Sequence, residues 1–151
     1  MEKTLVLLKP DAVQRGLVGE IIKRFEQRGL KIIGMKMVWL NREFTEKHYA
    51  EHVKKPFFKE LASFIEEGPL IAFVIEGVQA ISAVRKIVGA TKPEEALPGT
   101  IRGDYAHYLV RGQNLVHASA NDKDAEKEIK LWFKPEEMHT YPRDDEKHTL
   151  K

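Results

Sequence analysis

His117 is the side chain in this sequence best suited to nucleophilic chemistry. It follows Leu115 and Val116, two apolar residues of a segment that reads as a strand. An imidazole nitrogen can attack an electrophile when the other nitrogen is held by a partner that fixes the tautomer. Position alone equally fits a hydrogen-bonded histidine of the core, so the neighbouring residues decide between the two interpretations.

Glu128 is the carboxylate that could hold His117. It shares a predicted helical face with three apolar residues at spacings of three and four, namely Ala125, Ile129 and Trp132. An unpaired charge on such a stripe is costly to bury, so Glu128 needs a partner. Because this helix begins soon after His117, it can fold back over the strand, with Ser119 close enough to help. The alternative is that Glu128 lies at the edge of the face and reaches water.

Three basic side chains are candidates for binding phosphate. Lys9 ends the first predicted strand, Arg85 lies on a predicted helix, and Arg102 stands in a glycine-bearing loop. Phosphoryl transfer needs several cations, because negative charge spreads over the oxygens in the transition state. Arginine binds phosphate as a fork and lysine as a point charge. Each residue taken singly could equally be a surface cation.

Tyr49 and Phe57 flank a predicted helical hairpin. An aromatic ring at the mouth of the hairpin could stack on a nucleobase. Packing between the two helices is an equal alternative for Phe57 and the better interpretation of Phe58.

Hydrophobic periodicity predicts the elements that must position these residues. Strands are predicted at 4–8, 30–40 with a possible bulge at Gly34, 70–75 and 114–118. Helices are predicted at 17–25, from a cap at Thr45 to Val53, at 58–65, at 80–88, and from a cap at Asn121 or Asp122 to Trp132. Residues 90–113 have no sustained period and read as a long loop, and the polar tail from Lys134 should wrap the surface.

This order predicts one α+β domain over residues 1–151. Four strands with helices packed on one face make a sandwich. The split β-α-β order indicates the ferredoxin-like arrangement, a four-stranded antiparallel sheet with helices packed around it.

Composition excludes several classes of protein. The chain has 151 residues and no cysteine, so disulfide and thiolate chemistry are excluded. Its net charge of +2 is too small to argue for nucleic acid, and no specific nucleic acid is expected. No apolar run is long enough for a membrane helix and no secretory signal is visible, so a cytoplasmic protein is expected. P-loop, dinucleotide-binding, protein-kinase and zinc motifs are missing.

The sequence resembles the nucleoside diphosphate kinase family over essentially its whole length. Six segments in the right order carry the resemblance: Lys9-Pro10-Asp11 with Gln14-Arg15-Gly16-Leu17-Val18-Gly19, Lys55-Pro56-Phe57-Phe58, Gly68-Pro69, Pro98-Gly99-Thr100-Ile101-Arg102-Gly103-Asp104, Asn114-x-x-His117-x-Ser119, and Glu126-Lys127-Glu128-Ile129-x-Leu131-Trp132-Phe133.

The resemblance implies a ping-pong transfer of the γ-phosphate of a nucleoside triphosphate, typically ATP, to a nucleoside diphosphate. His117 would be the phosphorylated nucleophile, with Glu128 orienting its ring, Ser119 supporting the pair, and Tyr49 near His117 and Lys9. The implied nucleotide ligands are Lys9, Arg85, Thr91 and Arg102 for the phosphates, Phe57 and Leu61 for the base, and Asn114 with Lys9 for the ribose. The resemblance also implies broad base specificity, Mg²⁺ held mainly by the nucleotide phosphates rather than by protein ligands, and a homo-oligomer, most often a hexamer.

Two departures from the family pattern keep an alternative open. The family usually reads His-Gly-Ser-Asp where this chain has His117-Ala118-Ser119-Ala120. The segment 105–113 is also longer than is usual in the family. The alternative is a catalytically weak nucleotide-binding or regulatory relative. A nucleic-acid-binding module of similar topology ranks last, because the aromatic pattern of an RNA-recognition sheet is missing.

Overall fold

The computed structural model describes residues 1–150, and a single antiparallel sheet forms their centre. Its strands are β1 (Glu2–Leu8), β2 (Lys31–Val38), β3 (Leu70–Gly77) and β4 (Val116–Ala118), in the spatial order β2-β3-β1-β4. All three neighbouring pairs are antiparallel. This order and direction confirm the predicted ferredoxin-like sheet.

Eight α-helices surround the sheet in the described part of the chain. They are α1 (Pro10–Gln14), α2 (Val18–Gln27), α3 (Arg42–His48), α4 (Phe58–Ile65), α5 (Ala80–Val88), α6 (Ile101–Tyr105), α7 (Asp122–Trp132) and α8 (Glu146–Thr149). The predicted helices at 58–65 and 80–88 are confirmed at these bounds. α1, α6 and α8 were not predicted.

Both faces of the sheet are buried, because successive side chains of a strand point to opposite faces. Val6 and Leu8 of β1 pack with residues of α1, α2, α5 and α6. Leu5 and Leu7 pack on the other face, with residues of α3, α4 and α7. The expectation that helices cover one face was therefore wrong, whereas helices around the sheet are confirmed. The uninterrupted burial from Thr4 to Leu8 follows from this double cover.

The start of α3 differs from the prediction. Asn41 caps the helix by accepting the Phe44 N–H at 2.8 Å, whereas Thr45 lies inside the helix and is fully buried. The Thr45 hydroxyl donates to the Asn41 carbonyl at 2.9 Å. α3 ends at His48 and does not continue to Val53. The predicted irregularity near Gly34 is confirmed as a shift of register between Ile32 and Gly34.

Residues 90–113 are not one structureless loop. They contain a 3-10 turn at Pro93–Glu95 and α6, whose cap is Thr100, with its hydroxyl oxygen accepting the Gly103 N–H at 3.0 Å. β4 begins at Val116 rather than at 114, since Leu115 has a left-handed backbone with φ of 70° that interrupts a strand. Of the two predicted caps for α7, Asn121 is confirmed, because its side-chain oxygen accepts the Asp124 N–H at 2.8 Å.

The polar tail after α7 wraps over the start of β2, as predicted. Lys31 donates to the Tyr141 carbonyl at 2.8 Å and to Glu146 at 2.7 Å, and Arg143 donates to the Leu30 carbonyl at 2.8 Å. Across residues 1–150, none of the helices combines the length and the apolar character that crossing a membrane requires.

Candidate active site

One cleft of about 690 Å³ brings together nine of the residues predicted from the sequence. They are Lys9, Tyr49, Phe57, Leu61, Arg85, Thr91, Arg102, Asn114 and His117. β4 of the sheet forms the floor of the cleft. Lys9, directly after β1, and Arg85, in the last turn of α5, line it. The remaining two predicted residues, Ser119 and Glu128, lie behind the ring of His117 and do not line this cleft.

Glu128 and Ser119 hold the ring of His117 from behind. His117 pairs with Leu7 across β1 and β4, which fixes its backbone. Its Nε2 lies 3.0 Å from Oε1 of Glu128, and the Ser119 hydroxyl donates to the same oxygen at 2.6 Å. Because an ionised carboxylate only accepts hydrogen bonds, Nε2 carries the proton and Nδ1 keeps its lone pair. Nδ1, the nitrogen nearer the backbone, is therefore the one that can react.

Glu128 remains ionised although it is largely buried. Burial opposes the charge, but the hydrogen bonds donated by the ring of His117 and by the Ser119 hydroxyl outweigh it, so the pKa of Glu128 lies below its ordinary value of 4.5. The α7 side of His117 therefore presents a fixed negative charge, which will stabilise positive charge that develops on the ring.

Lys9 is a buried ammonium aimed into the cleft from the end of β1. It donates to Oδ1 of Asn114 at 2.8 Å and to the carbonyl of Gly112 at 3.0 Å. Burial, with repulsion from Arg102, lowers the pKa of Lys9 from 10.5 to about 8. Asn114 is itself held, since its Nδ2 donates to the carbonyl of Thr91 at 2.8 Å.

Arg102 is held by three backbone carbonyls around the cleft. It donates to Val116 at 2.5 Å, Gly89 at 3.0 Å and Asn114 at 3.2 Å. Burial, together with repulsion from Arg85, lowers the pKa of Arg102 from 12.5 to about 10. Arg85 anchors on the Ala118 carbonyl at 3.3 Å. The two guanidiniums and Lys9 thus concentrate positive charge on one side of the cleft.

The outer part of the cleft is apolar and aromatic. Phe57 leaves 49% of its surface exposed there, beside Leu61. Gly112 approaches Leu61 so closely that a Cβ on it would lie 2.7 Å from that side chain. Tyr49 lies deeper, and burial, helped by the charge of Glu128, raises the pKa of its phenol, so the ring stays neutral. A flat, exposed ring at a cleft mouth suits stacking against a base.

Sequence reasoning missed several residues of the site. Those that line the cleft are His52, Glu60, Leu109, Arg111, Gly112 and Val116. Arg111 has a left-handed backbone with φ of 53°, which no sequence pattern indicated. His48 lies beside His117, with ring centroids 4.9 Å apart. Asp11 accepts the Leu115 N–H at 3.1 Å, and the Lys-Pro-Asp run was the available signal for it.

The two substitutions after His117 fit the structure differently. Ala118 is buried in β4, pairs with Val6 and is not among the left-handed residues, so its methyl group fits an extended backbone. Ala120 is exposed at the rim and brings no carboxylate. A second, smaller cavity of about 220 Å³ adjoins His117 on the side of α7, where Asp124 and Lys127 line it.

The cleft lining suits phosphate better than a bare divalent cation. Among residues 1–150 no group of three or more histidine, aspartate or glutamate side chains is arranged to hold a metal ion. Four lysine and arginine side chains, those of Lys9, Arg85, Arg102 and Arg111, line the cleft, and among the described residues that line it Glu60 supplies the one carboxylate.

Comparison with known proteins agrees with this geometry. A family model described as nucleoside diphosphate kinase matches residues 2–138. A nucleoside diphosphate kinase of Pyrococcus horikoshii is 56% identical over 143 residues, covering 94% of this chain and 91% of that protein.

Solved structures of similar proteins superpose closely. A transition-state mimic of the nucleoside-diphosphate kinase of Borrelia burgdorferi with bound vanadate and ADP has a TM-score of 0.93 at 42% identity, covering 99% of this chain and 96% of that one. A nucleoside diphosphate kinase of Halobacterium salinarum in complex with CDP has a TM-score of 0.92 at 47% identity, covering 97% and 96%.

Proposed function

This chain belongs to the nucleoside diphosphate kinase family and transfers phosphate between nucleotides, and we propose that it does so by a ping-pong reaction through His117. The observation that carries the proposal is the pairing of Nε2 of His117 with Glu128 at 3.0 Å. That contact leaves Nδ1 free to attack within a cleft lined by Lys9, Arg85 and Arg102.

In the first half-reaction, Nδ1 of His117 attacks the γ-phosphorus of a triphosphate. The Nδ1–P bond forms, the bond from phosphorus to the bridging β-oxygen breaks, and the diphosphate leaves with those electrons. Nε2 keeps its proton, so the ring becomes positive, and the ionised Glu128 stabilises that charge. In the second half-reaction, a terminal oxygen of another diphosphate attacks the same phosphorus and Nδ1 leaves with its electron pair.

The basic residues of the cleft stabilise the phosphates throughout. Lys9 acts as a point charge and Arg85 offers a fork to the oxygens. Arg102, whose three nitrogens already donate to backbone carbonyls, adds positive charge beside them. Thr91 lies on the same wall and adds a hydroxyl. These side chains form no covalent bond with the substrate, so they act by positioning the phosphates and by electrostatic stabilisation.

The nucleoside binds toward the mouth of the cleft. Phe57 and Leu61 offer the base a stacking surface, and Asn114 with Lys9 offers hydrogen bonds to the ribose. Because every base has a π-face, stacking discriminates weakly, and this favours broad acceptance of purine and pyrimidine nucleotides.

Mg²⁺ is the proposed cofactor, and it enters on the nucleotide. Magnesium is usually bound through substrate phosphates and water rather than by an all-protein cage, and the cationic lining suits that habit. When bound, it screens the charge of the β- and γ-phosphate oxygens.

The protein is proposed to act in the cytoplasm. It is also proposed to form a homo-oligomer, and the family resemblance favours a hexamer. β2 is an edge strand that exposes Met35 at 46% and Met37 at 60%, and Trp39, which directly follows it, is 66% exposed. Clustered exposed apolar side chains mark interaction surfaces. Light scattering after size exclusion measures the mass directly, and a monomer at micromolar concentration would contradict the proposal.

A labelling experiment tests the ping-pong mechanism. Protein is mixed with γ-labelled ATP and Mg²⁺, quenched in alkali and examined for bound label, with His117→Ala in parallel. We expect label on the wild type alone, released on addition of GDP. Failure of a nucleotide-binding wild type to take label would contradict the proposal and favour the catalytically weak relative.

A further inference from the structure

The rings of His117 and His48 are both held by one face of α7. Glu128 binds Nε2 of His117 at 3.0 Å, and one turn later the indole N–H of Trp132 donates to Nδ1 of His48 at 3.0 Å. Residues four apart lie on the same side of a helix. One rigid element therefore sets the position of both rings relative to each other.

His48 in turn contacts the ring of His117. The ring centroids are 4.9 Å apart and the planes are inclined at 81°, an edge-to-face geometry that is favourable between aromatic rings. The rings of Tyr49 and Trp132 also pack edge-to-face against His48, with ring centroids 4.6 Å and 5.3 Å away. The single hydrogen bond to Glu128 leaves His117 free to pivot about it. The perpendicular ring of His48 blocks that motion.

His48 is suited to this task because it stays neutral. Nδ1 accepts the Trp132 N–H, so the proton of His48 is on Nε2, a buried atom without a hydrogen-bond partner in residues 1–150. Burial lowers the pKa of His48 from 6.5 to about 3. A second imidazolium here would repel the positive charge that His117 acquires on phosphorylation, and a neutral ring adds none.

We propose that His48, held by Trp132, is a positioning residue that keeps the ring of His117 turned so that Nδ1 faces the cleft. This inference rests on the proposed function, because it concerns the rate at which His117 takes up phosphate. Neither His48 nor Trp132 lines the nucleotide cleft. Loss of the contact should therefore slow chemistry and leave nucleotide affinity unchanged.

Two variants separate the ring contact from the hydrogen bond. In His48→Asn the amide oxygen replaces Nδ1 as acceptor for Trp132, but the ring is gone. In the double variant His48→Phe with Trp132→Phe the ring remains, and no indole N–H is left unpaired. Single-turnover phosphorylation by ATP, nucleotide Kd and thermal midpoint are measured for each.

We expect His48→Asn to keep its thermal midpoint and Kd while phosphorylation slows by on the order of 10- to 100-fold, as a small misplacement of a reacting group does. The double variant should recover most of the rate with an unchanged pH profile. Nitrogen NMR of His117 should report the Nε2–H tautomer in the wild type and in both variants, because Glu128 is unchanged, so a slower reaction is assigned to the orientation of the ring.

Three results would overturn the inference. They are a wild-type rate in His48→Asn, a loss confined to Kd, or a folded double variant as slow as His48→Asn. A wild type that takes no label from ATP, with His117→Ala as its control, would instead remove the proposed function itself. The two failures are thus told apart by the wild-type measurement.

Discussion

Nε2 of His117 and Oε1 of Glu128 are joined at 3.0 Å although eleven positions separate the two residues. β4 carries the histidine, α7 carries the glutamate, and the turn between them ends at the Asn121 cap. We predict that Glu128→Gln slows phosphorylation of His117 about ten- to hundredfold. A hydrogen bond to a charged group contributes about 1.5–3 kcal/mol, and here it is strengthened as the ring becomes positive.

Single-turnover kinetics with ATP checks this prediction, and Glu126→Gln is the matched control. Glu126 lies on the same helix but is exposed, and within residues 1–150 its ion pair is with Lys130, at 3.0 Å. Its variant should react at the wild-type rate, as exposed ion pairs contribute little. A Glu128→Gln enzyme with the wild-type rate would show that the carboxylate charge is not used.

The pKa of Lys9 predicts that nucleotide binding weakens in mild alkali. Below pH 8 the ammonium is charged and attracts phosphate, and as the pH rises above about 8 it loses its proton. The Kd for a nucleoside diphosphate should therefore rise between pH 7.5 and 9.5, by up to about tenfold per pH unit where one proton is linked to binding. Isothermal titration across this range measures it.

Lys9→Met provides the control, because it has nothing to titrate. This variant should bind the nucleotide weakly, and its Kd should change little over the same range of pH. The effect on stability has the opposite sign. A buried lysine with a lowered pKa disfavours folding while charged, so the free energy of unfolding of the wild type should increase from pH 8 toward 10.5 relative to Lys9→Met. Parallel Kd profiles of the two proteins would exclude Lys9 as the titrating group.

Phe57→Ala should weaken binding of every nucleotide to a similar extent. Stacking of an aromatic side chain on a base contributes about 1–3 kcal/mol, which corresponds to a rise in KM of roughly five- to 150-fold. Stability should change little, because about half of the ring is exposed. Steady-state kinetics with ADP, GDP, CDP and UDP measures the effect, with the exposed Tyr108→Ala as control. A loss confined to one base would argue for base-specific contacts instead.

Much of the fold could be predicted because its strongest elements depend on local pattern. β1 and β3 are buried on both faces and form short apolar runs, and α5 ends at a glycine. α6 escaped prediction, since only Ile101 and Arg102 of its five residues are buried. Its stability comes from the Thr100 cap and from contacts of Arg102 with distant carbonyls, which periodicity cannot reveal.

The same distinction separates predicted from missed site residues. His117, Ser119 and Glu128 lie on a strand, a turn and a helix that follow one another, so their contact could be inferred from spacing. His48 could not be placed, because the residue that holds it, Trp132, is 84 positions away. Arg111 enters the cleft through a left-handed backbone that only the structure shows.

Gly103 links the packing of α6 to the placement of Arg102. A Cβ at Gly103 would lie 2.0 Å from the carbonyl oxygen of Leu97, which is backbone and cannot turn aside. Gly103→Ala must therefore shift α6, destabilising the protein by about 1–3 kcal/mol. Because Arg102 precedes Gly103 directly, its contacts with Gly89 and Val116 should loosen, and we expect nucleotide Kd to rise severalfold.

Gly99→Ala is the control that isolates this effect. Gly99 has a φ of 95° and open space around its missing Cβ, so alanine there is strained by about 1–2 kcal/mol without a clash. Thermal unfolding should show comparable losses in the two variants, whereas nucleotide titration should show weakened binding only in Gly103→Ala. Equal affinities at equal destabilisation would mean that Arg102 keeps its position without help from the close packing of Gly103.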